Sequence, residues 1–170
     1  VLLNARDVLD FLVASGALAA ADAGRARASL LAPGASDAFF VRALELRTAV
    51  TAALIASEHG RALDAASLAV INATLEADAG YSRLEHRRGT TYALVTERVS
   101  DAPARLLAPI ALAIARLLTM ARAPVRKCAA QTCVRHFYDD SRTRRRRWCD
   151  MAICGNRAKA AAFAERQRGT

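Results

Sequence analysis

The chain has 170 residues, is rich in Ala and Leu, holds few aromatic residues, and carries a formal net charge of +9. That length buries one sizeable core and leaves room for a small appended module too short to build its own. Leu106 to Ala115, the longest charge-free stretch of the second half, is about half of what spans a bilayer and is interrupted by Pro109, which excludes a membrane span there.

Asn4-x-x-Asp7 caps a helix to about Ala14, with Val8, Leu9, Phe11 and Leu12 on its apolar face and Gly16 at its end. A second helix is expected from Leu18 to Leu31, stopped by the turn Pro33-Gly34. Ser36 or Asp37 caps a third over about 37–58, with Phe40, Leu44, Val50 and Leu54 as its buried stripe and Arg42, Glu45 and Arg47 mostly off it. His59-Gly60 closes that helix, and Asp64 to Glu76 forms a fourth with Leu68, Ile71 and Leu75 inside.

From Tyr81 the period shortens. Tyr81–His86 and Thr91–Thr96, joined through Arg88-Gly89, read as a small β-hairpin. Ser100 or Asp101 then caps a long apolar helix to about Arg122, with Pro103 in its first turn and Pro109 kinking it. This helix is expected to be the core of the first domain. Ala123-Pro124 marks a boundary, giving a helical domain at 1–122 and a short module at 124–170. The expected class is mainly α: a multihelical N-terminal domain with a small β-hairpin, followed by a four-cysteine finger built as knuckle, β-hairpin and helix.

All four cysteines fall in that module, as Cys128-x4-Cys133, fifteen residues, and Cys149-x4-Cys154. Two equally spaced thiol pairs suit one tetrahedral zinc ion, and a closed four-thiolate shell makes the site structural, with no position left for substrate. Iron bound as a cluster is an alternative that four thiolates leave open, although this spacing matches neither common ferredoxin pattern. His136 is a surface or hairpin residue beside four available cysteines. Metal binding is expected to fold a segment whose own apolar side chains are chiefly Val134, Phe137, Trp148, Ile153 and Phe163.

The charge is uneven. Residues 1–119 hold twelve Lys/Arg and twelve Asp/Glu, while 120–170 hold thirteen against four, so the whole +9 belongs to the cysteine-bearing end. Such an excess fits a polyanionic partner, most simply double-stranded DNA. The candidate contacts are Arg144, Arg145, Arg146 and Arg147, together with Asn156, Arg157 and Lys159. Phe137–Thr143 reads as strand into turn and Arg144–Trp148 as the returning strand, so alternation splits the four arginines between two faces. Gly155-Asn156 reads as the start of a helix over Arg157–Arg168, whose N-terminus offers an anion site reinforced by Arg157 and Lys159. In the bland reading the arginines pair with Asp139, Asp140 and Asp150 or stack on Trp148, and Asn156 is a cap.

The run Trp148-Cys149-Asp150-Met151-x-x-Cys154-Gly155-Asn156-Arg157-x-Lys159, preceded by Phe137-x-Asp139-x-Ser141, resembles the CGNR zinc finger over about residues 124–168. The first part is similar to the ABATE domain through Leu3-Asn4, Arg47, Ile71-Asn72 and Leu107-Ala108-Pro109-Ile110-Ala111; Ala5 stands where that family has Thr. The resemblance implies a bacterial stress-induced transcription regulator with Cys128, Cys133, Cys149 and Cys154 as ligands and Arg147, Asn156, Arg157 and Lys159 as functional residues.

The expected function is therefore DNA-binding regulation, with a small-molecule effector or a second subunit at the helical domain. A zinc-stabilised protein-interaction module and an RNA-binding protein are the alternatives. No nucleophile, His and carboxylate group together, so no enzyme is expected. Secretion is not indicated and reduced cytoplasmic thiols are expected, while the missing initiator Met leaves open whether the native chain extends upstream of Val1.

Overall fold

The computed structural model describes residues 2–88, 91–98, 102–120 and 123–168. They form α1 (Ala5–Ala14), a 3-10 turn (Ala20–Asp22), α2 (Ala23–Ser29), α3 (Ala35–Glu58), α4 (Ala65–Glu76), β1 (Gly80–Arg88), β2 (Thr91–Arg98), a second 3-10 turn (Pro103–Leu107), α5 (Ala108–Leu118), β3 (Val125–Lys127), β4 (His136–Tyr138), a π-helical turn (Met151–Gly155) and α6 (Asn156–Arg168). The chain divides into two compact units. One comprises Val1–Ala53 and Asp64–Thr119, and the other Leu54–Leu63 and Met120–Thr170.

In the first unit, local capping fixes the helix starts. The Asn4 side chain accepts the Asp7 N–H at 3.1 Å, and Asp7 reaches back to the Leu3 N–H at 2.7 Å. Asp64 does the same for α4, accepting the Ser67 N–H at 2.8 Å. Each side chain satisfies a backbone donor that the first helical turn leaves without a partner. Val8, Leu9 and Leu12 of α1 are buried, each stabilising the fold by at most about 1.5–3 kcal/mol. Phe11 sits at the edge of that face, half exposed.

Several expected elements take a different form. The second helix shrinks to a 3-10 turn and seven residues of α2. α3 starts at Ala35, so Ser36 and Asp37 lie in its first turn and do not cap it. Its buried face is Phe39, Ala43, Leu46, Ala49 and Ala53, one position round from the expected Phe40, Leu44, Val50 and Leu54, which are only half-buried. The alanines win the core because small side chains let neighbouring elements approach closely, and side-chain size alone does not reveal that. On α4, Ile71 is buried, Leu75 is half-buried and Leu68 is exposed.

The β1–β2 hairpin is antiparallel, with Leu84 opposite Leu94 and an irregularity between His86 and Arg88. Gly89 of its expected turn, and the expected caps Ser100 and Asp101, lie outside the described residues. The long apolar helix splits into the 3-10 turn and α5, with Pro109 in the first turn of α5. Pro109 starts the helix where it was expected to kink it: it lacks an N–H, and within a longer helix its ring would meet the carbonyl four residues back. Leu106, Leu107, Ala108, Ala111 and Ile114 are buried, so this segment is core as expected. No helix among the described residues is long and apolar enough to cross a membrane.

Candidate metal centre and basic surface

The first cysteine pair occupies the loop of a hairpin. β3 and β4 pair antiparallel, Val125 with Tyr138 and Lys127 with His136, and Cys128 and Cys133 lie between them. Cys128 N–H donates to the Arg135 carbonyl at 2.9 Å and Cys133 N–H to the Ala130 carbonyl at 2.9 Å, which curls the loop into a knuckle. The expected returning strand at Arg144–Trp148 does not form; β3, upstream, is the partner of β4.

Asp139 explains that difference. It is the one buried charged side chain among the described residues. Its carboxylate accepts the Ser141 hydroxyl, the Ser141 N–H at 3.2 Å and the Arg146 N–H at 3.0 Å. The backbone donors that a strand would direct to a neighbour thus go to one side chain. The Ser141 hydroxyl, with the Arg146 and Ser141 N–H groups and the nearby Arg126, holds the Asp139 carboxyl below the usual carboxylate range despite burial. Arg144, at φ 49°, takes the left-handed conformation that lets this loop turn, and its carbonyl accepts from the Arg126 guanidinium at 2.8 Å.

The second pair is set by a tight helical turn. Asp150 caps it, accepting the Ile153 N–H at 2.9 Å, and the Asp150 carbonyl takes both the Cys154 and Gly155 N–H groups at 2.9 and 3.1 Å. The π turn runs straight into α6, and the Asn156 N–H bonds back to the Met151 and Ile153 carbonyls. The helical start is therefore at Met151 and already holds the Asp150 carboxylate, which removes the anion site expected at the start of α6. Gly155 is buried, and a Cβ there would meet Met151 Sδ at 2.5 Å.

The four Sγ atoms all lie within 4.8 Å of one another. Cys133 and Cys149 sulfurs are 3.8 Å apart and Cys149 and Cys154 sulfurs 3.7 Å apart. A tetrahedron with zinc–sulfur bonds of about 2.3 Å has an edge of about 3.8 Å. The thiols are free. Burial opposes ionisation of Cys128, but the Ala130 and Cys149 backbone N–H groups outweigh it and bring the thiol down to about 7. Burial pushes Cys154 up to about 12, so a full set of thiolates needs a cation among them. These cysteines fit one structural zinc ion.

Cys128, Ala130 and Cys154 form a buried cluster in the second unit, with Phe137 and Trp148 packed against it. Of the module's chief apolar side chains, Val134, Ile153 and Phe163 are 86%, 55% and 58% exposed. His136 stands apart from the sulfurs; its Nε2 is 3.2 Å from Glu58 Oε2. Glu58 had no signal as a site residue, because its partners lie far along the chain.

The arginine run divides by role. Arg146 stacks over the Phe137 ring at 5.1 Å, donates through Nε to the Trp148 carbonyl at 3.0 Å and through Nη2 to the Cys149 carbonyl, and sits 3.8 Å from Asp140. It braces the loop. Arg147 lies over the Trp148 ring at 5.1 Å, and its carbonyl accepts the Ala129 N–H at 2.8 Å. Arg144, Arg145 and Arg147, with Asn156, Arg157 and Lys159, have exposed side chains. Arg135 and Arg157 line a hollow beside Cys133, Cys149 and Cys154.

Two family models match the chain. Residues 125–167 match the CGNR zinc finger, and residues 1–121 match ABATE, described as "Putative stress-induced transcription regulator". No curated protein matches. With the first match covering the sulfur cluster and the second most of the sequence, the chain belongs to the ABATE family and ends in a CGNR zinc finger.

Proposed function

We propose that the protein is a transcription regulator whose zinc-held unit grips the phosphate backbone of duplex DNA through Arg144, Arg145, Arg147, Arg157 and Lys159, with Asn156 available to a base edge. The observation that carries this reading is the charge: the whole +9 lies in residues 120–170, and none of these five cations makes an ion pair with a described residue. Arg146, expected to bind as well, is left out because its guanidinium is occupied within the loop. A closed thiolate shell offers no place for substrate, so the role is non-catalytic. Such a regulator belongs in the cytoplasm, where thiolates stay reduced.

About five phosphate contacts predict that log K falls with log salt at a slope near −4.5. Fluorescence anisotropy on a labelled duplex across a salt series tests this, with Arg157→Ala and Lys159→Ala each expected to reduce the slope by about 1. Salt-independent binding would sink the reading, and unchanged variants would sink the site assignment. Preferential displacement by single-stranded RNA would move the partner to RNA.

A second reading, a zinc-stabilised protein-interaction module, draws on the exposure of Val134, Ile153 and Phe163. Loss of partner capture in Val134→Ser and Ile153→Ser, with DNA binding absent in the wild type, would favour it.

A further inference from the structure

The helical unit contains a cavity of about 430 Å³ that the zinc finger's role leaves unused. Its size falls in the range of small-molecule sites, roughly 300–1,000 Å³. Nine of its ten described lining residues are non-polar, with Val8, Leu12 and Leu46 buried and Phe11 half exposed. The tenth is Arg47.

Arg47 is exposed on α3, next to buried Leu46 and one turn from buried Ala43. Ala43, Leu46, Arg47 and Val50 are spaced three, four and seven residues along that helix, so they share one face and all line the cavity. Among the described residues no acidic side chain lines the cavity and none pairs with Arg47; Glu45, two positions back, is 4.0 Å from Arg42. A lone guanidinium at the edge of an apolar hollow matches one carboxylate, which it binds through a planar two-donor fork. A single positive group selects a monoanion. The apolar walls select a hydrocarbon body.

We propose that this cavity binds a small apolar monocarboxylate, with the carboxylate on Arg47 and the hydrocarbon against Phe11, Val50 and Ile110. The site stands independently of DNA binding. A surface arginine also lies on its stem over apolar neighbours simply to reach water, and only a preference for the anion separates the two roles.

Isothermal titration of the zinc-loaded 170-residue chain with octanoate, 1-octanol and octylamine tests it. Octanoate is expected to bind one to one, about tenfold or more tighter than octanol, with octylamine weakest. Arg47→Gln should remove the preference for octanoate over octanol, Arg47→Lys should keep part of it, and Val50→Trp should weaken both ligands. Circular dichroism matching wild type establishes that each variant is folded. Equal binding of octanoate and octanol, a preference that survives Arg47→Gln, or no octanoate binding at its solubility limit overturns the proposal. If octanoate fails to bind and sedimentation reveals a dimer that Phe11→Glu dissociates, the cavity is a contact for a second copy of the chain and the proposal is overturned.

Discussion

Glu58 Oε1 accepts the Lys127 N–H at 3.0 Å, joining the last turn of α3 to β3 across 69 residues of sequence. Its other oxygen is 3.2 Å from His136 Nε2, whose side chain is largely buried. Burial opposes the Glu58 charge, but the Lys127 N–H and the nearby His136 outweigh it and lower the carboxyl below its ordinary 4.5. A lowered folded value means this contribution is complete above the unfolded pKa and is lost as pH falls through the folded one. Glu58→Ala should speed amide exchange at Lys127 near neutral pH and remove the part of the acid sensitivity that lies below about 4.5. Unchanged exchange at Lys127 would mean that the clasp does not hold in solution.

Asp139 and Asp140 are adjacent and should behave oppositely. Asp139→Asn loses a carboxylate that serves three donors, so melting temperature and zinc retention should both fall. Asp140 is exposed, 3.8 Å from Arg146, and Asp140→Asn should stay within about 0.5 kcal/mol of wild type. Asp139 is also held low, so its contribution should fade as pH drops below the ordinary carboxylate value of 3.8. Equal melting temperatures for the two variants would contradict this assignment.

Neighbouring arginines separate stability from binding. Arg146→Ala loses the Phe137 stacking and both carbonyl contacts and should lower the melting temperature of the zinc unit. Arg145→Ala should leave that temperature alone and weaken duplex binding, more at low salt than at high salt. The two readouts on one pair of variants distinguish bracing from contact.

Removing zinc with excess chelator should unfold the C-terminal unit while the helical signal of the first unit persists, because Phe137 and Trp148 pack against the buried cluster that Cys128 and Cys154 form with Ala130. Zinc affinity should fall as pH drops from about 8 to about 6, since protons compete for the thiolates. Competition against a coloured chelator at several pH values measures it. A second unit that stays folded after complete metal removal would refute the dependence.

In the first unit, Asn4→Ala should cost about 1 kcal/mol by removing the cap on α1. Ala53 is fully buried on α3, and Ala53→Leu should cost about 1–3 kcal/mol by overfilling the space its neighbours occupy. Urea unfolding measures both. A stabilising Ala53→Leu would reveal unfilled room on that face.

The features legible in the sequence were those set over short stretches of chain. Asn4 and Asp64 announced their helices because a cap needs only a side chain and a donor three residues on. The thiol pairs announced a tetrahedral metal site because ligand chemistry constrains residue type and spacing together. Tertiary structure decided which face of α3 is buried, since alanines suit close approach only where a neighbour exists to approach. It also turned an expected strand into a loop around Asp139, tied the Arg146 guanidinium to the Trp148 and Cys149 carbonyls, and brought Glu58 to Lys127. Those outcomes rest on polar groups finding partners far along the chain, and a buried charge is stable only where the folded chain supplies its donors.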